Sequence, residues 1–448
     1  MNNIELFIKK MEAENLPRIV IETFEFYYNQ LLNGKRGLLP EKEINAVETL
    51  PEYEALTENH EEIGKSVLNK SVLIKLNGGL GTGMGLSEAK SLLKIKENYT
   101  FIDIIAKQVE SSKIPLVLMN SFNTQEKSLE LLNNYPSIKS DLPLDFLQHK
   151  IPKISVNDFT PSEYEENKTL EWCPPGHGEI YTSLVTSGML DKLLEKGIKY
   201  AFISNSDNLG AVMDNKILGF FAENNLPFLM EVAGRTSADK KGGHLAKLPN
   251  GQLILREAAQ CPKEDENEFQ NINKHKYFNT NNIWINLKQL KEVMEEKENI
   301  LGLPMIVNKK NVNSKDANSE EVYQLETAMG SAISVFKNAG ALAVPRARFA
   351  PVKTTDDLLA VRSDNYILTN DFRIVLNPER NLKPLVISLD KKFYKLVDDL
   401  DNRIPIVPSL VNCESLTIKG DHKLSGNIKF EGVVELLNKS DEVKVVTN

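Results

Sequence analysis

Short apolar runs alternate with amphipathic stretches along this chain, and the alternation predicts a layered α/β protein. The run SVLIKL, from Ser71 to Leu76, has the length and apolar character of a buried strand, and it ends abruptly in glycine. Phe101–Ser112 then places its apolar residues on one helical stripe, and PLVLMNS, from Pro115 to Ser121, supplies the next strand. The order of strand, helix and strand predicts a parallel βαβ unit.

The alternation continues towards the carboxyl end of the chain. The pattern predicts further helices at Thr124–Asn133, Asp214–Asn224 and Val322–Asn338, and further strands at Tyr200–Ser204, Phe228–Ala233, Gln252–Glu257 and Asn282–Asn286. The polar stretch from Val307 to Glu321 predicts a mobile surface loop. Together these elements predict a doubly wound α/β sheet, in which ligands bind beyond the carboxyl ends of the strands.

Two regions differ from this core. Ile19–Leu32 has apolar residues at intervals of three and four, which predicts an N-terminal helical region ahead of the first strand. After about Asn402, short alternating apolar pairs are separated by Gly420, Gly426 and Gly432. Short strands at corners marked by glycine predict a small β-helical or all-β module.

Composition limits the classes of partner. The 448 residues carry 62 acidic and 54 basic side chains, a net charge of −8, so the chain lacks the basic field that holds nucleic acid. No apolar run approaches the roughly 20 residues of a membrane span, and the first residues lack the basic start and apolar centre of a signal peptide. Cys173, Cys261 and Cys413 lie far apart, which predicts neither a disulfide framework nor a zinc site. We therefore expect a cytoplasmic protein that acts on neither nucleic acid nor membranes.

A glycine-rich loop follows the first predicted strand. The stretch KLNGGLGTGMGLSEAK, from Lys75 to Lys90, has five glycines between positions 78 and 85. Their spacing does not fit the dinucleotide fingerprint, and no lysine stands where a Walker loop requires one. Such a loop can turn tightly and direct backbone amides at an anion. A phosphate or nucleotide site is favoured over the alternative, a purely structural turn.

Other candidates for chemistry follow the predicted strands. Asp207, directly after an apolar run, is suited either to magnesium or to a turn or N-cap. His177 lies between prolines and glycines on a rigid loop, which favours a place beside a ligand over a structural role. The asparagines of Phe278–Asn286 suit sugar hydroxyls, although an Asx-rich turn is the alternative. Lys353 precedes a predicted helix near Thr355 and is either a phosphate-binding cation or an ordinary surface residue.

Taken in order, several motifs resemble those of the eukaryotic-type UDP-glucose pyrophosphorylases, which are uridylyltransferases. They include KLNGGLGTGMG, PPGHGEIY, SNSDNLGA, GRTSADKKGGHLA, FNTNNIWINL and VPRARFAPVKTTDDLL, and the resemblance covers roughly Ser71 to Ile418. It implies a glycosyltransferase-A-like, doubly wound mixed sheet with a C-terminal left-handed β-helix. The implied division is an N-terminal helical region at 1–65, a nucleotidyltransferase catalytic domain at 66–370 and a β-helix module at 371–448.

The resemblance also implies roles for individual residues. Those implied to bind the nucleotide are Leu76, Asn77, Gly78 and Gly79 along the loop, Gln148 and Gly176 at the uracil, and Lys90 and Lys353 at the phosphates. Those implied on the sugar side are His177 at the sugar phosphate, Asn205 between the two substrates, and Glu257, Asn279 and Asn281 at the hexose. Asp207 is implied to bind Mg²⁺, and Lys90, Lys353 and Asp207 form the implied catalytic set.

The implied reaction converts UTP and glucose 1-phosphate into UDP-glucose and pyrophosphate, with Mg²⁺ as cofactor. Related enzymes that act on N-acetylhexosamine phosphates usually begin the glycine loop with alanine, so Asn77 favours the glucose enzyme. The alternatives are a uridylyltransferase for another sugar 1-phosphate, such as galactose or N-acetylhexosamine, and a non-catalytic nucleotide-sugar sensor. The β-helical end mediates self-association in some members of the family, so its role in this chain is open.

Overall fold

The computed structural model describes residues 3–380 and 385–447. The α-helices are α1 (Asn3–Ala13), α2 (Arg18–Leu32), α3 (Glu58–Val67), α4 (Phe101–Ser112), α5 (Gln125–Leu132), α6 (Ile180–Thr186), α7 (Met189–Glu195), α8 (Asn215–Glu223), α9 (Glu266–Phe269), α10 (Leu287–Glu296), α11 (Thr355–Arg362), α12 (Lys391–Tyr394) and α13 (Val397–Arg403). The strands are β1 (Asn45–Ala46), β2 (Ser71–Asn77), β3 (Lys94–Lys96), β4 (Tyr99–Thr100), β5 (Leu116–Asn120), β6 (Asp145–Leu147), β7 (Ile151–Pro152), β8 (Ile154–Ser155), β9 (Trp172–Cys173), β10 (Tyr200–Asn205), β11 (Phe228–Gly234), β12 (His244–Lys247), β13 (Leu253–Arg256), β14 (Tyr277–Asn286), β15 (Met305–Asn311), β16 (Glu321–Thr327), β17 (Gly340–Ala343), β18 (Tyr366–Leu368), β19 (Ile374–Leu376), β20 (Val386–Leu389), β21 (Cys413–Lys419), β22 (His422–Leu424), β23 (Gly432–Leu437) and β24 (Lys444–Val446).

A mixed central sheet organises the protein, as the sequence predicts. Strand β2 lies between β10 and β5 and pairs with both in parallel, and β6 continues the parallel half beyond β5. The long strand β14 is antiparallel to both β10 and β11, which makes the sheet mixed. Every residue of β2 is buried, because both faces of the sheet are covered, and this burial explains its nearly continuous apolar run. The β2, α4 and β5 segments confirm the predicted parallel βαβ unit.

Helix ends follow recognisable local rules. Thr100 caps α4: its hydroxyl accepts a hydrogen bond from the Asp103 amide at 3.1 Å, and the Asp103 carboxylate accepts from the Thr100 amide.

Helices α3 and α8 pack closely at two glycines, Gly64 and Gly219. A Cβ at Gly64 would lie 1.9 Å from the Asn215 carbonyl oxygen. Helix α2 confirms the predicted N-terminal helix. Within the described ranges, no helix is both long and apolar enough to cross a membrane.

One predicted helix is wrong. The range Val322–Asn338 forms strand β16 followed by a 3-10 segment, Met329–Ser334, instead of a long amphipathic helix. Strand β16 pairs with β15 on one edge and β8 on the other, and these contacts distant in sequence outweigh the helical spacing of its apolar residues. Strand β15 also takes up Val307–Asn311, so the start of the predicted surface loop is paired backbone.

The carboxyl-terminal region is built from short parallel strands. Strand β21 pairs in parallel with β20 and β23, and β22 pairs in parallel with β24. Gly420 and Gly426 lie at turns between these strands, Gly432 is the first residue of β23, and all three have positive φ. At Gly420 a side chain is excluded, since a Cβ would lie 2.0 Å from the Asn438 carbonyl oxygen. The structure thus confirms short strands at corners marked by glycine.

Candidate active site

Strand β2 delivers the glycine-rich loop to the carboxyl edge of the sheet. The Asn77 side chain is buried and donates hydrogen bonds to Asn120 Oδ1 at 2.7 Å and to Ser128 Oγ at 2.9 Å. These contacts fix the strand end against β5 and α5, so only the backbone of Asn77 is left to approach a nucleotide. Leu76, the residue before it, pairs in register with Asn205 at the end of β10.

Two glycines of the loop lie close to neighbouring side chains. A Cβ at Gly78 would lie 2.9 Å from Gln148 Oε1, and the Gly78 carbonyl accepts a hydrogen bond from Ser121 Oγ at 3.1 Å. Gly81 has a φ of +67°, and a Cβ there would lie 3.2 Å from the Cβ and Cγ atoms of Lys90. The loop therefore wraps closely around the stem of Lys90 and leaves Gly79 open, with no atom within 4 Å of its hypothetical Cβ.

Lys90 contacts Asp207 directly. Its backbone amide donates to the Gly79 carbonyl at 3.0 Å, and its Nζ lies 2.5 Å from Asp207 Oδ2. Asp207 directly follows β10, whose parallel pairing with β2 brings the two loops together, and the Ser206 amide donates to the Leu76 carbonyl at 3.1 Å. The two predicted residues, 117 positions apart, form one ion pair whose side chains are 14% and 20% exposed.

The Asp207 carboxylate has one oxygen without a partner among the described residues. Lys90 occupies only Oδ2, and Oδ1 accepts no hydrogen bond from residues 3–380 or 385–447. The carboxyl group is partly exposed, at the same edge of the sheet as the glycine loop. Mg²⁺ in phosphate-transfer sites is commonly bound by one or two carboxylates, with phosphates and water as the other ligands. The geometry thus leaves a hard oxygen ligand free beside a lysine.

Gln148 and Gly176, the two residues implied at the uracil, contact each other. The Gln148 side chain donates from Nε2 to the Gly176 carbonyl at 2.9 Å. The Gln148 backbone amide donates to the Asn120 carbonyl at 2.7 Å. Gly176 has a φ of +82°, and a Cβ would lie only 2.4 Å from the Thr327 carbonyl oxygen. Only glycine fits here, because both the backbone angle and the space exclude a side chain.

His177 follows at the start of a short 3-10 turn. The Met329 amide donates to His177 Nδ1 at 3.0 Å. An acceptor at Nδ1 means that the neutral ring carries its proton on Nε2. Burial lowers the pKa of His177 to about 4, so the imidazole is neutral at physiological pH. His177 is therefore a neutral hydrogen-bond donor and not a cation.

The hexose candidates lie together around a bulge in β14. Asn281 has a φ of +57°, and the side chains of Asn279 and Asn281 are joined by a 2.8 Å hydrogen bond. The Asn279 amide donates to the Gly243 carbonyl at 3.2 Å, and a Cβ at Gly243 would lie 2.4 Å from Glu257 Oε2. Burial raises the pKa of Glu257, and the nearby Lys353 acts in the opposite direction. The site thus presents amides and one carboxyl group, a set suited to hydroxyl groups.

Lys353 lies close to Glu257, one of the hexose candidates, and next to Val352, which contacts Asp207. The Val352 amide donates to the Asp207 carbonyl at 3.2 Å, and the Lys353 amide donates to Asp357 at the start of α11. The Lys353 side chain is exposed, with Nζ 5.6 Å from the ring centroid of Phe349. The predicted helix at Thr355 is confirmed, and the backbone of Lys353 is fixed while its ammonium group extends into solvent.

Sequence reasoning missed the buried polar groups beneath the site. Glu231 is fully buried in β11 and accepts two hydrogen bonds from the Arg348 guanidinium, at 2.6 and 2.7 Å. Lys75 is 1% exposed in β2 and donates to Ser204 Oγ at 2.8 Å and to the Ala211 carbonyl at 2.7 Å. Burial lowers the pKa of Lys75 to about 7. The sequence signal for both Lys75 and Glu231 is a charged residue within an otherwise apolar strand, as in SVLIKL and FLMEVA.

Known proteins are similar to this chain over most of its length. The sequence model of the family described as UTP–glucose-1-phosphate uridylyltransferase matches residues 21–431. A Solanum tuberosum relative with that name is 41% identical over 384 residues, which cover 84% of this chain and 78% of the relative. A Leishmania major UDP-glucose pyrophosphorylase solved with UDP-glucose is 42% identical, with a TM-score of 0.92 over 99% of this chain and 96% of that chain. A Trypanosoma brucei UDP-glucose phosphorylase is 45% identical, with a TM-score of 0.89 over the full length of both chains. The chain belongs to the UTP–glucose-1-phosphate uridylyltransferase family.

Proposed function

We propose that the protein transfers the uridylyl group of UTP to glucose 1-phosphate, giving UDP-glucose and pyrophosphate with Mg²⁺ as cofactor. The observation that carries this proposal is the contact between Lys90 and Asp207, which lies at the same sheet edge as the glycine loop and the hexose candidates. Family membership and the UDP-glucose complex of the Leishmania major relative support the same substrates.

The nucleotide lies along the glycine loop in this proposal. The backbone from Leu76 to Gly79 faces the nucleoside, and Gln148 with the Gly176 backbone reads the uracil. Gln148 offers both an amide donor and a carbonyl acceptor, which the edge of uracil requires. The 2.9 Å hydrogen bond from Gln148 to Gly176 holds the two uracil contacts at one spacing.

The sugar phosphate binds on the side of the Lys90–Asp207 pair that is opposite the nucleotide. Asn279, Asn281 and Glu257 bind the hexose hydroxyls, and Asn205 lies between the two substrates. The neutral His177 ring donates a hydrogen bond from its Nε2–H to the sugar phosphate. A neutral donor stabilises an anion without a change of protonation state, because the pKa of His177 is held near 4.

The reaction needs no protein nucleophile. A phosphate oxygen of glucose 1-phosphate forms a bond to the α-phosphorus of UTP, and the bond from that phosphorus to the bridging oxygen breaks as pyrophosphate leaves with the electron pair. Both reactants are anions, so positioning and charge neutralisation carry the catalysis. Lys90 and Lys353 supply positive charge to the phosphates. A magnesium ion, held by Asp207 when bound, supplies further neutralisation of phosphate charge.

Three further features belong to the same proposal. The central sheet is of the glycosyltransferase-A type, and the short parallel strands at the carboxyl end form a left-handed β-helix. The chain divides into a helical region at 1–65, the catalytic domain at 66–370 and the β-helix module at 371–448. The module is a candidate surface for self-association, because Val433 and Val445 are 76% and 57% exposed on it. A cytoplasmic location stays a prediction from the sequence.

Pyrophosphate release tests the proposal. The purified protein with Mg²⁺ and glucose 1-phosphate should release pyrophosphate with UTP and far less with ATP, CTP or GTP. Replacing glucose 1-phosphate by galactose 1-phosphate or by N-acetylhexosamine 1-phosphates should lower the rate. Faster turnover of one of those sugars would reassign the acceptor. Binding of UDP-glucose without release of pyrophosphate in either direction would identify a sensor and refute the enzymatic proposal.

A further inference from the structure

Two loops that carry charged candidates meet at one buried asparagine. We define the Asp207 loop as residues 206–212 and the Lys353 segment as residues 345–353. Asn208, in the first loop, is 3% exposed and uses both ends of its side chain. Its Nδ2 donates to the Arg348 carbonyl and to Asn282 Oδ1, both at 3.1 Å. Its Oδ1 accepts from the Gly210 amide at 3.1 Å and from the Ala350 amide at 2.9 Å.

Backbone contacts continue the junction on both sides of Asn208. The Val352 amide donates to the Asp207 carbonyl at 3.2 Å, and the Leu209 amide donates to the Ala350 carbonyl at 3.3 Å. At Gly210 the two backbones approach so closely that a Cβ would lie 2.2 Å from the Ala347 carbonyl oxygen. The Asp207 loop and the Lys353 segment are thus joined along their length, with Asn208 at the centre.

The joined loops are anchored to the sheet by charge. Arg348 binds Glu231 through two nitrogens and also donates to the Val212 carbonyl at 3.0 Å, so one guanidinium contacts both loops and β11. Trp284 and Asn282 of β14 donate to the remaining positions of the Glu231 carboxylate, at 2.8 and 2.9 Å. A buried carboxylate with four donors is fully satisfied, and such networks hold one geometry.

We propose that Asn208 is a positioning residue that locks the Asp207 loop to the Lys353 segment, so that Asp207 and Lys353 keep one fixed spacing at the phosphates. This inference rests on the proposed function, because it assigns that spacing a role in uridylyl transfer. Asn208 itself does not contact the substrates. Its effect is on the placement of charge, and a misplacement of about 1 Å can reduce turnover by about 10²-fold.

The test compares Asn208→Ala with Asn365→Ala. Asn365 is equally buried at 2% exposed, but it lies outside both loops and its Oδ1 has no hydrogen-bond partner among the described residues. We expect Asn208→Ala to lower kcat by about 10-fold to 10²-fold, whereas the dissociation constant for UTP measured in EDTA changes by less than about threefold. Asn365→Ala should leave both values unchanged. A folded Asn208→Ala protein with the wild-type kcat would overturn the inference.

Asn208→Asp provides a second variant of nearly the same shape. It keeps the acceptor for the Gly210 and Ala350 amides and loses the donor to Arg348 and Asn282. We expect an intermediate kcat, since half of the junction is retained. A smaller kcat than that of Asn208→Ala, with an equal melting temperature, would argue against the junction and for a charge effect at Glu231.

Hydrogen exchange in the wild-type protein tests the junction without any variant. The amides of Gly210, Ala350 and Val352 should be protected and should exchange together, because opening one loop opens the other. Exchange of the Lys353 segment at the rate of an exposed loop would refute the locked geometry, whatever the activity. If the wild-type protein releases no pyrophosphate but these amides are protected, then the proposed reaction fails and the junction stands.

Discussion

Lys90 Nζ lies 2.5 Å from Asp207 Oδ2, and this contact joins the end of the glycine loop to the end of β10. Both side chains are partly exposed, so the pair is reachable by a phosphate and by a cation. The Lys90 amide bonded to Gly79 holds the lysine at its backbone, and Asp207 orients its other end. Both the backbone and the ammonium group of Lys90 are thus held in place, beside the position proposed for the phosphates of UTP.

Removing the Lys90 ammonium should affect chemistry far more than folding. We expect Lys90→Ala to lower kcat by about 10²-fold or more, the scale of one preorganised charged contact in a phosphate site. Its melting temperature should stay close to that of the wild-type protein, since the pair is not fully buried. Steady-state kinetics with UTP and glucose 1-phosphate measure the effect. Lys94→Ala, at an exposed position nearby, is the control, and wild-type turnover in Lys90→Ala would remove Lys90 from the catalytic set.

Asp207→Asn should change the response to magnesium. The amide keeps the size of the side chain, but it loses the negative charge that a hard cation requires. We expect the Mg²⁺ concentration for half-maximal rate to rise by about tenfold or more, together with a lower maximal rate. Titration of activity with MgCl₂ at fixed free UTP measures this shift. An unchanged midpoint would place the metal on other ligands.

Gly176→Ala should weaken nucleotide binding. The substitution meets both a positive φ and the Thr327 carbonyl oxygen, 2.4 Å from the new Cβ, so the backbone must shift where the Gly176 carbonyl accepts from Gln148. We expect the KM for UTP to rise by about tenfold, which is about 1.4 kcal/mol of binding. Gly197→Ala is the matched control, because Gly197 also has a positive φ, +76°, but its Cβ would meet no atom within 4 Å. Equal KM values for the two variants would refute the proposed role of Gly176 in nucleotide binding.

Histidines whose pKa values are lowered on folding should make the fold sensitive to acid. Burial lowers the pKa of His177 to about 4 and that of His244 to about 2, whereas an unfolded histidine titrates near 6.5. Between about pH 6.5 and pH 4 the unfolded chain therefore binds more protons, and the free energy of unfolding falls as pH falls. Each histidine contributes up to about 1.4 kcal/mol per pH unit in this window, and the contribution is complete above pH 6.5.

Urea unfolding at pH 7.5, 6.0 and 5.0 measures this dependence. His244→Phe removes one of the histidines whose pKa is lowered on folding, and it keeps a ring to stack on His275, whose centroid lies 3.8 Å away. The variant should lose less stability between pH 7.5 and pH 5.0 than the wild-type protein does, whatever its stability at neutral pH. The same slope in both proteins would show that His244 does not titrate differently on folding.

Local sequence determined the elements whose signals are local. The apolar run before Asn77, the capping residues Thr100 and Asp103, and the glycine corners near Gly420 each specify strand, helix start or turn without distant partners. The range Val322–Asn338 shows the limit of this reasoning. Its helical spacing was real, but pairing with β15 and β8 decided the backbone, because hydrogen bonds to neighbouring strands outweigh a weak helical preference.

The sequence also determined which chemical groups are available, and only the tertiary structure decided which of them meet. Lys90 and Asp207 each looked plausible beside a phosphate, yet their contact depends on the parallel pairing of β2 with β10. The junction at Asn208 depends on a third segment, around Arg348, folding back over β11 and β14. A single sequence records the residue types and their order, whereas distances between loops arise from the packing of the whole sheet.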